Sequence, residues 1–118
     1  MSPNLPAYTV RDDGSRVTIR FVVKELTDAF LEECGDDLTR LADECGTRHL
    51  HLDLGEVDYL SSTALGKIVG MHKRVARSGG KFSVGNVNDF PYEVLCVTRL
   101  NTILDVRRKR AAKDSVPA

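Results

Sequence analysis

Apolar and polar residues follow two alternating periods along this chain, and each change of period marks an element. Residues 8–11 and 16–23 are rich in β-branched and aromatic side chains, the composition of strands. Between them lies Asp12-Asp13-Gly14-Ser15, whose Asp-Gly pair supplies the positive φ of a tight hairpin turn. The chain is therefore expected to open with a β-hairpin. The period then lengthens: Phe30, Cys34, Leu38, Leu41 and Cys45 are spaced 4, 4, 3 and 4 apart, one buried stripe of a helix that Thr27 or Asp28 caps and Gly35 kinks. Alternation returns over 48–54, with Leu50, Leu52 and Leu54 on one face of a strand and His49, His51 and Asp53 on the other.

A loop over 55–60 leads into a second helix from about 62 to 77. Leu65, Ile68, Val69, His72, Val75 and Ala76 gather on its inner side, and Gly79-Gly80 stops it. Residues 81–85 read as a strand. Pro91, placed at the first helical position after Asp89, opens a short helix through Val97 that buries Val94 and Leu95, and 102–106 reads as a closing strand. The order β-β-α-β-α-β-α-β predicts an α/β fold. It would be a single domain with a mixed sheet, opened by the N-terminal hairpin, and right-handed crossovers would put the helices mainly on one face. The domain is expected over 8–106, after an N-terminal extension at 1–7 and before a basic polar tail at 107–118 that is expected to be disordered.

Composition narrows the function classes. A chain of 118 residues can bury one core without metals or disulfides. Its 17 basic and 17 acidic residues balance, so no global field favours nucleic acid or an anionic membrane. Cys34, Cys45 and Cys96 leave one thiol unpaired under any bridging and match no CxxC spacing, which suits reduced cysteines used as apolar filling. The first ten residues lack a cationic segment followed by an apolar run, and nowhere do about 18 apolar residues run together. The expectation is a cytoplasmic protein with no membrane span.

Candidate chemistry concentrates at Ser61-Ser62-Thr63, where the central strand's loop meets the second helix. The first N–H groups of a helix lack internal acceptors and lie at the positive end of its dipole, so a hydroxyl or an added phosphate is favourably placed there. Ser61 or Ser62 as a plain helix cap is the simplest reading, yet three consecutive hydroxyls exceed what one cap needs. At about 100° per residue, Ser62, Gly66 and Gly70 form a nearly flat strip beside the apolar stripe. Interior helical glycines cost about 1 kcal/mol each relative to alanine, so this pair calls for a closely approaching neighbour, internal or foreign.

Elsewhere the chemistry is thinner. His49, His51 and Asp53 share one strand face with a spacing a metal could use, but no fourth ligand is evident, so no metal is expected and the two histidines are read as lying on the less covered sheet face. His72, within an apolar stripe, is read as a hydrogen-bonded core side chain. No G-x-G-x-x-G or Walker pattern is present, so no cofactor is expected. Arg107-Arg108-Lys109-Arg110 with Lys113 is read as solvated charge with no direct nucleic-acid contact.

The run from His49 through Gly70, with Gly79-Gly80-Lys81 and Leu100-Asn-Thr-Ile-Leu-Asp-Val, resembles the STAS domain of bacterial anti-sigma factor antagonists. The resemblance extends over nearly all of residues 8–106. It implies a non-enzymatic α/β module that binds an anti-sigma factor which is also a serine kinase, releasing the sigma factor. It further implies that the kinase phosphorylates the antagonist and that a serine phosphatase restores it. By the family motif Asp-Ser-[Ser/Thr]-Gly-Leu-Gly, Ser62 takes the place of the phosphorylated serine, with Ser61 and Thr63 as secondary acceptors. Ser61 stands where the motif has Asp, and Ala64 where it has its first Gly. The implied partner surface comprises Asp58, Tyr59, Ser61, Ser62, Thr63, Gly66 and Gly70, on a monomer or weak dimer. The two departures keep open a second reading, a STAS scaffold or accessory subunit that is not phosphorylated and serves another signalling or transport assembly.

Overall fold

The computed structural model describes residues 7–109. The chain runs β1 (Tyr8–Asp12), β2 (Arg16–Phe21), β3 (Glu25–Leu26), α1 (Asp28–Glu44), β4 (His49–Asp53), β5 (Tyr59–Leu60), α2 (Ser62–Arg77), β6 (Lys81–Val87), α3 (Asp89–Val97), a 3-10 turn (Leu100–Thr102) and β7 (Asp105–Arg108). Five strands form a mixed sheet in the order β1-β2-β4-β6-β7, antiparallel only between β1 and β2. The opening hairpin forms as expected: Gly14 turns the chain at φ +96°, while the Asp12 and Asp13 carboxylates accept the N–H groups of Gly14, Ser15 and Arg16.

Alternation along the strands sorts the two faces. Val17, Ile19 and Phe21 of β2, Leu50 and Leu52 of β4, and Phe82, Val84 and Val87 of β6 join Phe30, Leu38 and Ala42 of α1, Ala64, Ile68, Met71 and Val75 of α2, and Leu95 of α3 in one core. The three helices thus cover the same side of the sheet. Among described residues all three cysteines are free, Cys45 buried and the other two half-buried.

Several details depart from the periodicity. Helix α1 runs uninterrupted through Gly35, and its buried row is Phe30, Gly35, Leu38 and Ala42, with Cys34 and Leu41 only half-buried. Along this row α1 meets α2: a Cβ at Gly35 would stand in ordinary contact, 3.6 Å, with the end of the Lys67 side chain, and Arg74 joins Asp43 through two 2.9 Å hydrogen bonds. Helix α2 packs on both α1 and β6, so its covered arc is broad and centres on Ala64, Ile68, Met71 and Val75; Leu65, Val69 and His72 are half-buried and Ala76 is exposed. His72 is not a hydrogen-bonded core residue. Its ring meets Phe82 edge-on at 5.8 Å, and its buried Nδ1 has no hydrogen-bond partner among the described residues.

Helix α3 begins two residues before Pro91, which is buried in its first turn, and Val94 is half-buried. The closing strand lies later than 102–106, because Arg99 takes a left-handed conformation at φ 62° and starts the 3-10 turn. Arg107 and Arg108 therefore belong to β7 rather than to a tail, and Arg108 bonds Asp89 at 2.8 Å and lies over the Tyr92 ring. At the other end, Ala7 accepts a hydrogen bond from Val22 and packs on the core, inside the stretch expected as an extension. Residues 1–6 and 110–118 lie outside the described residues.

Candidate functional site

The loop that delivers the serines to α2 is held on two sides. Strand β3 pairs in parallel with β5, Glu25 opposite Tyr59 and Leu26 opposite Leu60, and Leu26 O accepts the Ser61 N–H at 3.0 Å. This two-stranded sheet was not foreseen. On the other side Asn88, the residue before α3, leaves its own helix uncapped and donates its side-chain amide to Gly55 O at 3.1 Å and Val57 O at 2.9 Å. Asp53 accepts the Gly55 N–H at 2.8 Å and the Asn86 amide at 3.2 Å. Val57 and Leu60, both buried, pin the loop to the core.

Among the three hydroxyl residues the work is divided. Ser61 is the N-cap, in extended conformation, and its Oγ accepts the Ala64 N–H at 3.1 Å. Ser62 is the first helical residue and is exposed, as is Thr63. One cap hydroxyl suffices for α2, so Ser62 stands at the positive helix end without being needed to start it.

The flat strip is present as well. Gly66 is exposed and Gly70 half-exposed, and a Cβ built on either would meet nothing within 4 Å among the described residues. The close neighbour that two helical glycines call for is thus not found among the described residues. Beside the strip, Asp28, Leu31, Glu32, Thr63, Gly66 and Lys67 line an open groove of about 540 Å³ between the first turns of α1 and α2. On the loop side, Asp58 is exposed and pairs loosely with Lys24 at 3.7 Å. Tyr59, 43% exposed, stacks on Phe90 at 6.3 Å and 11° between ring planes. Asp58 and Tyr59 thus lie on the exposed loop before α2, and Ser61, Ser62, Thr63, Gly66 and Gly70 follow at its cap and along its first turns. Phe90, Leu31 and the brace Asn88 come from remote sequence and carry no local pattern that would have signalled them.

His49, His51 and Asp53 do share the sheet face away from the helices, but they are not aimed at one point. Asp53 is turned to the Gly55 loop, whereas both imidazoles are turned to Ser83 Oγ. No group of three His, Cys, Asp or Glu among the described residues is arranged to hold a metal. Nor is any described helix long and apolar enough to cross a membrane.

Comparison with known proteins agrees with this architecture. An anti-sigma-B factor antagonist of Bacillus subtilis is 33% identical over 60 residues, 51% of this chain, and the match spans 55% of that relative's length. A solved anti-sigma-factor antagonist (STAS) domain protein from Planctomyces limnophilus superposes with a TM-score of 0.79 at 21% identity, covering 86% of this chain and 89% of the other. The Bacillus cell fate determinant SpoIIAA in its phosphorylated form superposes with a TM-score of 0.66 at 15% identity, covering 94% and 100%. These structural likenesses establish the fold. The STAS domain family model matches residues 9–112, and the chain belongs to the STAS domain family.

Proposed function

We propose that this chain is a cytoplasmic anti-sigma factor antagonist that docks, through Ser62 and the strip beside it, on an anti-sigma factor with serine-kinase activity. Phosphorylation of Ser62 switches the contact off, and a serine phosphatase resets it. One observation carries the reading: Ser62, Gly66 and Gly70 present a smooth helical strip whose glycines face open space, next to a helix start already capped by Ser61. A relative is an anti-sigma factor antagonist, and a protein of like fold is known in a phosphorylated form, which supports the same reading. The mechanism is association, without a chemical step performed by this chain.

The switch follows from electrostatics. A phosphate at Ser62 adds nearly two negative charges to a surface that must desolvate on contact, while the α2 amides keep the anion tolerable to the free domain. A penalty of about 1–3 kcal/mol corresponds to a loss of affinity of roughly 5- to 150-fold. The test is calorimetric titration of the chain and of Ser62→Asp against candidate anti-sigma kinases, with mass spectrometry after incubation with ATP. Expected are phosphate on Ser62 and binding weakened at least fivefold in the variant. Unchanged binding of Ser62→Asp, or phosphate absent from all three hydroxyls, overturns the switch.

A second reading rests on Ser61. A neutral hydroxyl caps α2 where the family motif carries a carboxylate, so the loop offers a partner less charge to orient the acceptor. Under that reading the same face assembles a scaffold without phosphorylation. Recovery of signalling or transport subunits equally by wild type and Ser62→Asp would favour it.

A further inference from the structure

The sheet face opposite the helices carries an arrangement that the partner surface does not use. Ser83 Oγ lies 2.6 Å from Nε2 of His49 and 2.6 Å from Nδ1 of His51, and Ser83, 5% exposed, is the buried polar residue of the domain among those described. The two rings stand edge to face, 6.1 Å apart. His51 is also walled in from below: a Cβ at Gly85 would fall 2.6 Å from its Cε1, so only glycine leaves room for the ring. We propose that His49, Ser83 and His51 form an acid-sensitive latch across β4 and β6, closed while both imidazoles are neutral and opened when they take up protons.

The chemistry is a matter of counting protons. A serine hydroxyl owns one hydrogen, so in the neutral cluster it donates to one ring nitrogen and accepts the N–H of the other. Protonating both rings turns both facing nitrogens into donors. The hydroxyl hydrogen then loses its acceptor in a buried site, and two cations face each other. The flanking charges do not relieve them: Arg16 on β2 and Lys81 on β6 stand opposite His49, neutral Thr18 stands opposite His51, and the carboxylates of Asp53 on β4 and Asp105 on β7 oppose these cations in equal number. Burial, then Arg16, holds both imidazoles below the ordinary histidine value.

The sign follows. With folded values below the unfolded value of about 6.5, the unfolded chain binds more protons at mildly acidic pH. The latch therefore contributes fully above about pH 6.5, and its contribution is lost as pH falls through the lower folded values.

NMR titration of the imidazole protons, alongside urea midpoints at about pH 7.5 and 5, tests this. Expected are His49 and His51 titrating below the ordinary histidine value, a lower urea midpoint in acid, and a smaller acid loss in His49→Gln/His51→Gln. If that variant does not fold, the wild-type titration decides together with Ser83→Ala, in which the imidazole that accepts the hydroxyl hydrogen should move back toward the ordinary value while the other, held down by burial and Arg16, need not. Ordinary or raised histidine titrations in the wild type, or an unchanged acid loss in the folded double variant, overturn the latch.

Discussion

Ser61 and Ser62 are adjacent and chemically alike, yet the fold gives them separable roles that single substitutions resolve. Ser61→Ala removes the hydroxyl that accepts the Ala64 N–H and should cost about 1 kcal/mol of unfolding free energy. Ser62→Ala, on an exposed side chain at the first helical position, should stay within about 0.5 kcal/mol. Urea denaturation of the two variants checks the pair, and equal losses would contradict the cap assignment. The sequence pattern places three hydroxyls at a helix start because that property is local. It does not choose the cap, since that depends on which residue remains extended while the next turns helical. Asn88 lay further from view: nothing near residue 88 indicates that its amide spans about thirty positions to brace Gly55 and Val57.

At the scale of the element, α2 separates stability from recognition. Gly66 faces open space, so Gly66→Ala adds no clash and should stabilise the helix by roughly 0.8–1 kcal/mol, the usual gain from replacing an interior helical glycine. A partner seated on the strip would meet the new methyl group, so the same variant should bind more weakly. Thermal melting and calorimetric binding, read together, test the combination; a stabilised variant with undiminished affinity would move the interface off this strip. Long elements such as α1, β4 and α2 were legible because several turns or alternations repeat one pattern and a cap marks the start. Strands β3 and β5, two residues each, contain no full period, and only their mutual pairing defines them. The shift of β7 has the same origin, because Arg99 at positive φ and the Thr102 hydroxyl on Arg99 O set a turn that no hydrophobic period encodes.

For the whole molecule, alternation in residues 48–54 identified the oily face of a central strand, but not which strands would flank it, since strand order depends on crossovers between distant segments. The register now shows what that position means: Leu52 lies between Ile19 of β2 and Val84 of β6, and all three are fully buried. A cavity there is bounded by sheet on two sides and by packed helices above, surroundings that collapse poorly. Leu52→Ala should accordingly cost about 2–5 kcal/mol, a large share of the roughly 5–15 kcal/mol that holds a typical domain together. Equilibrium urea unfolding measures it, and a loss below about 1 kcal/mol would mean that the core heals around the site. Ser62→Asp belongs to the opposite class: it lies on the surface at the positive end of α2, away from this core, and should leave the unfolding curve nearly unmoved while partner affinity falls. Under the proposed switch, an anion at residue 62 would act on the surface without bringing the domain near its unfolding transition, because Ser62 is exposed and lies outside the core that carries the fold.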